Sequence, residues 1–125
     1  LVRRAGENIS AAEVEAVLTT SGLVKQAAVV AARDPIRDEE VAAFIVTDDG
    51  ATASRELAQD IFQFCRERLA AFKLPAWIAF VTELPLTSTN KIQKHVLLGA
   101  DRDPLSHPGM IDLRQEKANA IRQSN

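Results

Sequence analysis

A polar loop near residue 90 holds the lysines of this sequence that are best placed to do chemistry. Residues 84–94 read Leu-Pro-Leu-Thr-Ser-Thr-Asn-Lys-Ile-Gln-Lys, with two cations at Lys91 and Lys94. Pro85 ends the apolar run before the loop, because proline has no amide hydrogen for a sheet ladder. The hydroxyl and amide side chains that follow favour turns, so we expect Lys91 to leave the loop at an exposed point. An ammonium on a long, flexible stem can reach into a cleft and offset the charge of a reacting anion.

Local chemistry alone favours a plainer interpretation, in which Lys91 and Lys94 are two solvated lysines on a surface loop, since a short motif is weak evidence. The order of the residues favours a function. Leu-Pro-x-Thr-x-Thr-Asn-Lys-Ile-x-Lys resembles the C-terminal lysine motif of the adenylate-forming superfamily, which includes acyl-CoA synthetases, peptide-synthetase adenylation domains and luciferases. The superfamily usually has glycine where this chain has Asn90, and asparagine tolerates a positive φ. The resemblance implies that Lys91 is the catalytic lysine.

The first 22 residues predict a turn followed by a capped helix. Residues 3–10 are charged and contain a glycine, Ser10 suits a helix N-cap, and Glu13 stands three residues later. Ser10 and Glu13 have the spacing of a reciprocal capping box, which predicts that the helix begins at Ala11. Gly22 is placed to end it.

The same segment resembles the turn and helix that follow the interdomain hinge of adenylate-forming enzymes, with the pattern Arg-x-Gly-Glu-Asn-Ile-x-x-x-Glu-Val-Glu. The resemblance implies that Gly6, Glu7 and Asn8 line the channel for the pantetheine arm of coenzyme A. Glycine is needed where the backbone approaches a ligand or takes a positive φ. A turn with a purely structural role at Gly6 is the open alternative.

A third motif, Phe72-Lys73-x-Pro75, resembles the aromatic-Lys-x-Pro motif of the same superfamily. The resemblance implies that Phe72 and Lys73 help to bind coenzyme A, with the aromatic ring stacked on its adenine. The alternative is that Phe72 is the last core residue under the preceding helix.

Four positions depart from the pattern of the superfamily. Many relatives have a Trp-Gly pair where this chain has Arg37 and Asp38, and many have basic residues where it has Leu74 and Ala76. How this chain would hold the nucleotide end of coenzyme A is therefore open.

The pattern of apolar residues predicts a small α+β domain. Two β-branched and alanine-rich runs, 24–32 and 41–47, read as adjacent strands joined by a charged loop, and a turn is expected at 48–50. Apolar residues then recur at helical spacing over 57–69, with the helix predicted to end at 70–75, before a third strand at 77–81. We expect two layers, with helices packed on a mainly three-stranded sheet and a short N-terminal turn.

Composition excludes several functional classes. The chain has 125 residues, 26% of them charged, and a formal net charge of -2, which gives no basic field for nucleic acid or an anionic membrane. Cys65 is the single cysteine, so no intrachain disulfide forms, and its neighbours predict a small buried hydrophobe. His95 and His107 lack metal-ligand spacing, so we infer no zinc site.

The resemblance covers residues 1–98, which we interpret as a C-terminal lid domain. The sequence begins at Leu1 without methionine, which favours a fragment of a longer chain. Residues 99–125 are expected to form a partly flexible C-terminal extension, with a short polar helix favoured at 111–121 and no assigned function.

The resemblance implies an ATP-dependent acyl-CoA synthetase. A carboxylic acid and ATP give acyl-AMP and pyrophosphate, and coenzyme A then gives acyl-CoA and AMP. ATP, coenzyme A and Mg²⁺ would bind mainly through the protein's own N-terminal adenylation domain, so this chain alone is expected to be inactive. We expect a cytoplasmic protein of fatty acid metabolism without a membrane span.

Two alternatives remain open at this stage. One is an adenylation domain that loads a carrier protein instead of free coenzyme A. The other is a free-standing binding module with no chemistry of its own. The carboxylic acid substrate and the oligomeric state cannot be read from these residues.

Overall fold

The computed structural model describes residues 1–48 and 52–124, which form six strands and three α-helices. The strands are β1 (Val2–Arg4), β2 (Glu7–Ile9), β3 (Val24–Asp34), β4 (Asp38–Thr47), β5 (Trp77–Phe80) and β6 (Met110–Asp112). The helices are α1 (Ala11–Thr19), α2 (Arg55–Arg66) and α3 (Arg114–Gln123), with short 3-10 turns at Ala71–Lys73, Lys94–Val96 and Pro104–Ser106.

β4 is the central strand of the sheet and forms a long antiparallel hairpin with β3, paired from Val24↔Thr47 to Asp34↔Asp38. β5 lies parallel to β4, and β6 lies antiparallel to β5. β1 pairs with β2 and reaches the start of β4 at Arg4↔Asp38. The predicted α+β fold is confirmed, and three short strands extend its three main ones.

Both faces of the sheet are covered, which is why β4 reads as an almost continuous apolar run. Val41 and Ile45 point to the face that packs against all three helices. Phe44 points to the opposite face, where it packs with Leu84 and Leu98, the residues that flank the polar lysine loop. The loop is thus fastened to the sheet at both of its ends.

The N-caps of α1 and α2 both follow from local sequence. α1 begins at Ala11 because the Ser10 hydroxyl accepts the Glu13 amide at 3.2 Å. The second half of the expected capping box is replaced, since the Glu13 carboxylate binds the Lys73 ammonium. Ser54 caps α2 in the same way, at 3.0 Å from the amide that it accepts.

α1 and α2 both end earlier than the sequence predicts. α1 ends at Thr19, whose hydroxyl bonds to carbonyls of the preceding turn, and Gly22 lies beyond it with φ 77° in the turn to β3. α2 ends at Arg66 rather than at 70–75. The Cys65 carbonyl accepts the amides of the next turn, at 2.9 and 2.8 Å, and this tight turn closes the helix.

The segment after residue 98 packs on the same core as the rest of the chain. β6 extends the sheet, and the Leu113 amide donates to the Ala76 carbonyl at 2.7 Å. Leu113 and Ala120 are buried in the core under the helices. The helix expected at 111–121 begins only after β6, because the first of those residues join the sheet. The division of the chain at residue 98 stays a prediction.

The turn expected at 48–50 falls mostly outside the described residues, because 49–51 are not described. No helix within 1–48 or 52–124 has the length and apolar character needed to cross a bilayer.

Candidate functional site

The polar lysine loop is closed by hydrogen bonds around one threonine. The Thr87 amide donates to the Lys91 carbonyl at 2.7 Å, and the Lys91 amide donates to the Thr87 hydroxyl at 3.1 Å. Asn90 has φ 64°, so the left-handed conformation that the sequence predicts at this position is confirmed. A flanking bridge between Leu86 and Ile92 completes the turn. The backbone at Lys91 is therefore held firmly although the loop is polar.

The side chain of Lys91 is exposed and has no partner among the residues that the structure describes. Lys94, three residues later, is different. Its ammonium lies 2.7 Å from a carboxylate oxygen of Glu15, and its side chain is partly buried. One ammonium of the loop is committed to the domain, and the other is free for an external anion.

Glu15 joins three parts of the chain. Its carboxylate accepts the Val29 amide of β3 at 2.7 Å through the same oxygen that binds Lys94. α1, β3 and the lysine loop therefore meet at one carboxylate. This arrangement fixes the base of the loop that carries Lys91.

The Phe72-Lys73-x-Pro75 motif is held in place by the Glu13 carboxylate of α1. The Lys73 ammonium lies 2.9 and 3.1 Å from the two carboxylate oxygens of Glu13. It also lies 5.7 Å from the centre of the Phe72 ring, within the range of a cation–π contact. Phe72 is only half-buried. Its ring thus packs on the core and keeps exposed surface, which is compatible with both of the alternatives set out for it.

Glu13 and Glu15 bind lysines of two different motifs because their side chains leave α1 in nearly opposite directions. Residues two apart on a helix point about 200° apart, and Val14 between them is fully buried. One carboxylate therefore reaches Lys73 and the other reaches Lys94. α1 places the two lysine motifs relative to each other.

The turn at Gly6 connects β1 and β2. Ala5 has φ 49° and Gly6 has φ 85°, the pair of positive values that a two-residue type I′ hairpin requires. A Cβ added at Gly6 would meet nothing within 4 Å, so backbone conformation rather than lack of space requires the glycine. Glu7 and Asn8 follow it on β2 and are exposed.

The structure brings the Gly6 turn next to the loop between β3 and β4. The Ala5 amide donates to the Arg37 carbonyl at 2.9 Å. The Gly6 turn therefore adjoins Arg37 and Asp38, the positions at which this chain departs from the family pattern. Leu74 and Ala76 are fully buried in this chain and present no side chain to a phosphate.

Residues 13–91 match the sequence model of the AMP-binding enzyme C-terminal domain. The chain belongs to the AMP-binding enzyme C-terminal domain family. The matched segment includes both carboxylates of α1, the motif at Phe72 and the lysine loop up to Lys91.

Relatives of known function are much longer than this member of the family. The chain is 36% identical over 92 residues to a crotonobetaine/carnitine–CoA ligase of Escherichia coli O8, covering 74% of this chain and 17% of the relative. It superposes on an acyl-CoA synthetase of Brucella canis with a TM-score of 0.75 and 36% identity, covering 78% of this chain and 18% of the other. A solved o-succinylbenzoate CoA synthetase of Bacillus subtilis gives a TM-score of 0.71 at 32% identity, covering 82% and 20%.

Sequence reasoning missed the ion partners of this AMP-binding C-terminal domain. The sequence marks Glu13 only as a capping residue and Glu15 only as part of a motif. The available signal was the pair of carboxylates that flank an apolar residue on α1. No local signal marks Lys117, which lies buried beside Glu40 and is described below.

Metal binding finds no support in the described part of the domain. No group of three or more histidine, cysteine or acidic residues within 1–48 and 52–124 is arranged to hold an ion. Residues 1–48 and 52–124 therefore offer no cluster of ligands for Mg²⁺. Cys65 is fully buried, and this burial raises the pKa of its thiol to about 12, which makes it a poor nucleophile.

A surface cavity of about 640 Å³ lies away from the lysine loop. It is bordered by the loop between β3 and β4, by Trp77 and by the segment after residue 98. None of the site residues predicted from the sequence lines it, so concavity alone would have pointed to a different place than the lysine motif.

Proposed function

We propose that this chain is the lid of an AMP-forming acyl-CoA ligase. In the first half-reaction a carboxylate oxygen attacks the α-phosphate of ATP, and pyrophosphate leaves to give acyl-AMP. In the second half-reaction the thiol of coenzyme A attacks the acyl carbon. AMP leaves, and the thiol proton is released, to give acyl-CoA. The observation that carries the proposal is the exposed, unpartnered ammonium of Lys91 on a rigid turn within the described domain.

Lys91 is the proposed catalytic residue of the first half-reaction. Two anions must approach each other, and negative charge develops around the α-phosphate in the transition state. A positioned ammonium offsets that charge, with an effect of several kcal/mol when water is excluded. Lys94 cannot serve as well, because its charge is already paired with Glu15 at 2.7 Å.

The Gly6 turn is the proposed guide for the thiol in the second half-reaction, with Glu7 and Asn8 beside it. Its positive φ values and its exposure support this role, because the backbone can approach a ligand without a side chain between them. Phe72 is proposed to stack on the adenine of coenzyme A. Lys73 is proposed to hold the Phe72 ring and to meet a phosphate in competition with Glu13.

The two edges of the lid would act in turn. Rotation of the lid on an N-terminal adenylation domain would present Lys91 first and the Gly6 turn afterwards, a switching mode known for domain closure. That domain would supply the ATP, acyl and Mg²⁺ sites, so the 125-residue chain alone is expected to turn nothing over. The acid substrate, a role in fatty acid metabolism and a cytoplasmic location stay predictions.

The decisive test compares the two half-reactions in the full-length enzyme. We expect Lys91→Ala to slow acyl-AMP formation, measured as pyrophosphate release, by about 10³-fold, since several kcal/mol of stabilisation are lost. Formation of acyl-CoA from supplied acyl-AMP should change by much less. Equal losses in both steps, or a loss in neither, would exclude the proposed role.

A matched control uses a second exposed lysine outside the motif. Lys25 lies on β3 and is exposed like Lys91. Lys25→Ala should leave pyrophosphate release within about twofold of the unmodified enzyme, as expected of a surface substitution.

Offering free coenzyme A and a pantetheinylated carrier protein side by side separates the ligase from an adenylation domain that loads a carrier protein.

A further inference from the structure

The strand that carries the Gly6 turn is weakly joined to the main sheet. β1 meets β4 at a single register pair, Arg4↔Asp38, in the described ladder. The adjoining backbone contact is the Ala5 amide on the Arg37 carbonyl. A three-residue strand held this loosely would fray unless side chains add to it.

Two adjacent glutamates at the start of β4 supply those side-chain contacts. Glu39 accepts the backbone amide of Arg3 at 2.8 Å. Glu40 accepts the guanidinium of Arg4 at 2.6 Å. Because neighbouring residues on a strand point to opposite faces, β1 is gripped from both sides of the sheet.

Each of these glutamates also binds a cation from the segment after residue 98. Glu39 pairs with the Arg102 guanidinium, and Glu40 pairs with the Lys117 ammonium at 2.7 Å. Lys117 is 1% exposed and Glu40 is 2% exposed, so this second pair is shielded from solvent. The same two carboxylates therefore bind both β1 and the C-terminal segment.

The C-terminal segment is itself anchored by contacts that do not involve these glutamates. β6 pairs with β5, and the Arg102 carbonyl accepts the Arg33 amide of β3 at 2.8 Å. Leu113 and Ala120 are buried in the main core. A cation held on such a support can fix a carboxylate, and through it the strand beyond.

We propose that residues 99–124 brace the Gly6 turn, with Arg102 and Lys117 as positioning residues that hold β1 through Glu39 and Glu40. The contacts of Glu39 and Glu40 support the mechanical bracing of β1. Its consequence for catalysis rests on the role proposed above for the Gly6 turn in the thiol step. The segment after residue 98 is thereby given a function, although the family match ends at residue 91.

Partial burial raises the pKa of Glu39, but the Arg3 amide and the charge of Arg102 outweigh burial, so its net pKa is lowered. A carboxylate with a lowered pKa stays ionised at neutral pH. The contact between Glu39 and Arg102 is therefore formed at neutral pH.

Hydrogen exchange of the 125-residue chain, measured by mass spectrometry, tests whether residues 99–124 hold β1 in place. In the double variant Arg102→Gln/Lys117→Met we expect the amides of residues 1–10 to exchange about tenfold faster or more, because two charged contacts are lost. The amides of the hairpin between β3 and β4 should keep their protection. Unchanged exchange in residues 1–10 of the folded variant would overturn the proposal.

A matched control removes two arginines that belong to other ion pairs of the chain. Arg55 and Arg114 bind Glu116 and Asp112 but neither Glu39 nor Glu40. The double variant Arg55→Gln/Arg114→Gln should leave the exchange of residues 1–10 unchanged. Equal acceleration in both double variants would show general loosening and would contradict the brace.

A milder variant keeps the test decisive if the double variant does not fold. The Arg102 side chain is half exposed, so Arg102→Gln removes one contact without opening the core. Exchange at Arg3, whose amide is bonded to Glu39, should still rise. No rise at Arg3 would count against the brace.

The catalytic consequence is measured separately in the full-length enzyme. Arg102→Gln/Lys117→Met should raise the KM for coenzyme A severalfold and leave pyrophosphate release with ATP and acid unchanged. A merely structural defect would lower both half-reactions together. Faster exchange with an unaltered KM would support the brace and would overturn the role of the Gly6 turn.

Discussion

Lys91 and Lys117 are the same side chain in opposite surroundings. Lys91 stands at the tip of a rigid polar turn, exposed and unpaired within the described residues. Lys117 is 1% exposed and shares the Glu40 carboxylate with Arg4 in the interior. The first charge is available to a ligand, and the second is committed to the fold.

The difference shows what each lysine can be asked to do. An exposed ammonium keeps its full hydration until an anion arrives, so it can contribute to a transition state at little cost to stability. A buried ammonium depends on its partner, because desolvation otherwise makes the charged form unfavourable. The next three predictions test this contrast, in order of decreasing expected effect.

The largest effect concerns the pH dependence of stability around Lys117. Burial lowers the pKa of Lys117 from 10.5 to about 8, although the nearby Glu40 opposes that shift, and Arg4 and Arg37 add to it. Between these two pH values the folded chain binds fewer protons than the unfolded chain, so stability should rise with pH. Relative to Lys117→Met, the free energy of unfolding should rise by about 3 kcal/mol from pH 7 to pH 10.5.

Urea unfolding of both chains at several pH values measures that difference directly. The buried Cys65 thiol, with its pKa raised to about 12, acts in the opposite direction above pH 9. It is present in both chains, so its contribution cancels. If the difference in unfolding free energy between the two chains does not change with pH, burial does not lower the pKa of Lys117.

A smaller effect separates the two carboxylates of α1. Glu15→Gln should slow acyl-AMP formation by about tenfold, because a loosened loop misplaces Lys91 and misplacement of about 1 Å is costly. Glu13→Gln should act on the thiol step instead, through Lys73. Pyrophosphate release and thioester formation, measured separately in the full-length enzyme, distinguish the two variants.

The exposed Glu56 on α2 provides the control for that pair. Glu56→Gln should leave both half-reactions within about twofold, as surface substitutions usually do. If Glu13→Gln and Glu15→Gln slowed the same half-reaction to the same extent, the two carboxylates would not act on different half-reactions.

The smallest effect concerns the backbone of the polar lysine loop. Asn90→Ala should lower the free energy of unfolding by about 1 kcal/mol, because alanine is strained at φ 64°. Asn90→Gly should stay within about 0.5 kcal/mol, since glycine accepts this conformation. Thermal unfolding of the two variants beside Ser88→Ala checks the order, and equal losses for alanine and glycine would contradict it.

Local features were predictable because they depend on neighbours in sequence. Ser10 caps α1 through an amide three residues away, and Asn90 takes the positive φ that a glycine usually supplies. The hairpin of β3 and β4 follows from two apolar runs joined by a short charged loop. The lysine motif was recognised for the same reason, since its residues are contiguous.

Features formed over long sequence separations were not predictable. Lys117 lies in a polar stretch that resembles the surroundings of many solvated lysines, so nothing local marks it as buried. The strands β1, β2 and β6 have three residues each and lack an alternating pattern of useful length. The pairing of β1 with β4 and of β6 with β5 depends on a sheet edge that other parts of the chain create.

The amino-acid sequence alone determined the start of α1, the hairpin of β3 and β4, the turn at Asn90 and the family to which the chain belongs. The tertiary structure alone decided which cation each carboxylate binds, with Glu13 and Lys73 separated by 60 residues and Glu40 and Lys117 by 77. A carboxylate has no preference among distant cations until the path of the chain brings one of them within a few ångströms. Short-range hydrogen bonds select local structure, whereas burial of the common core selects the long-range ion pairs.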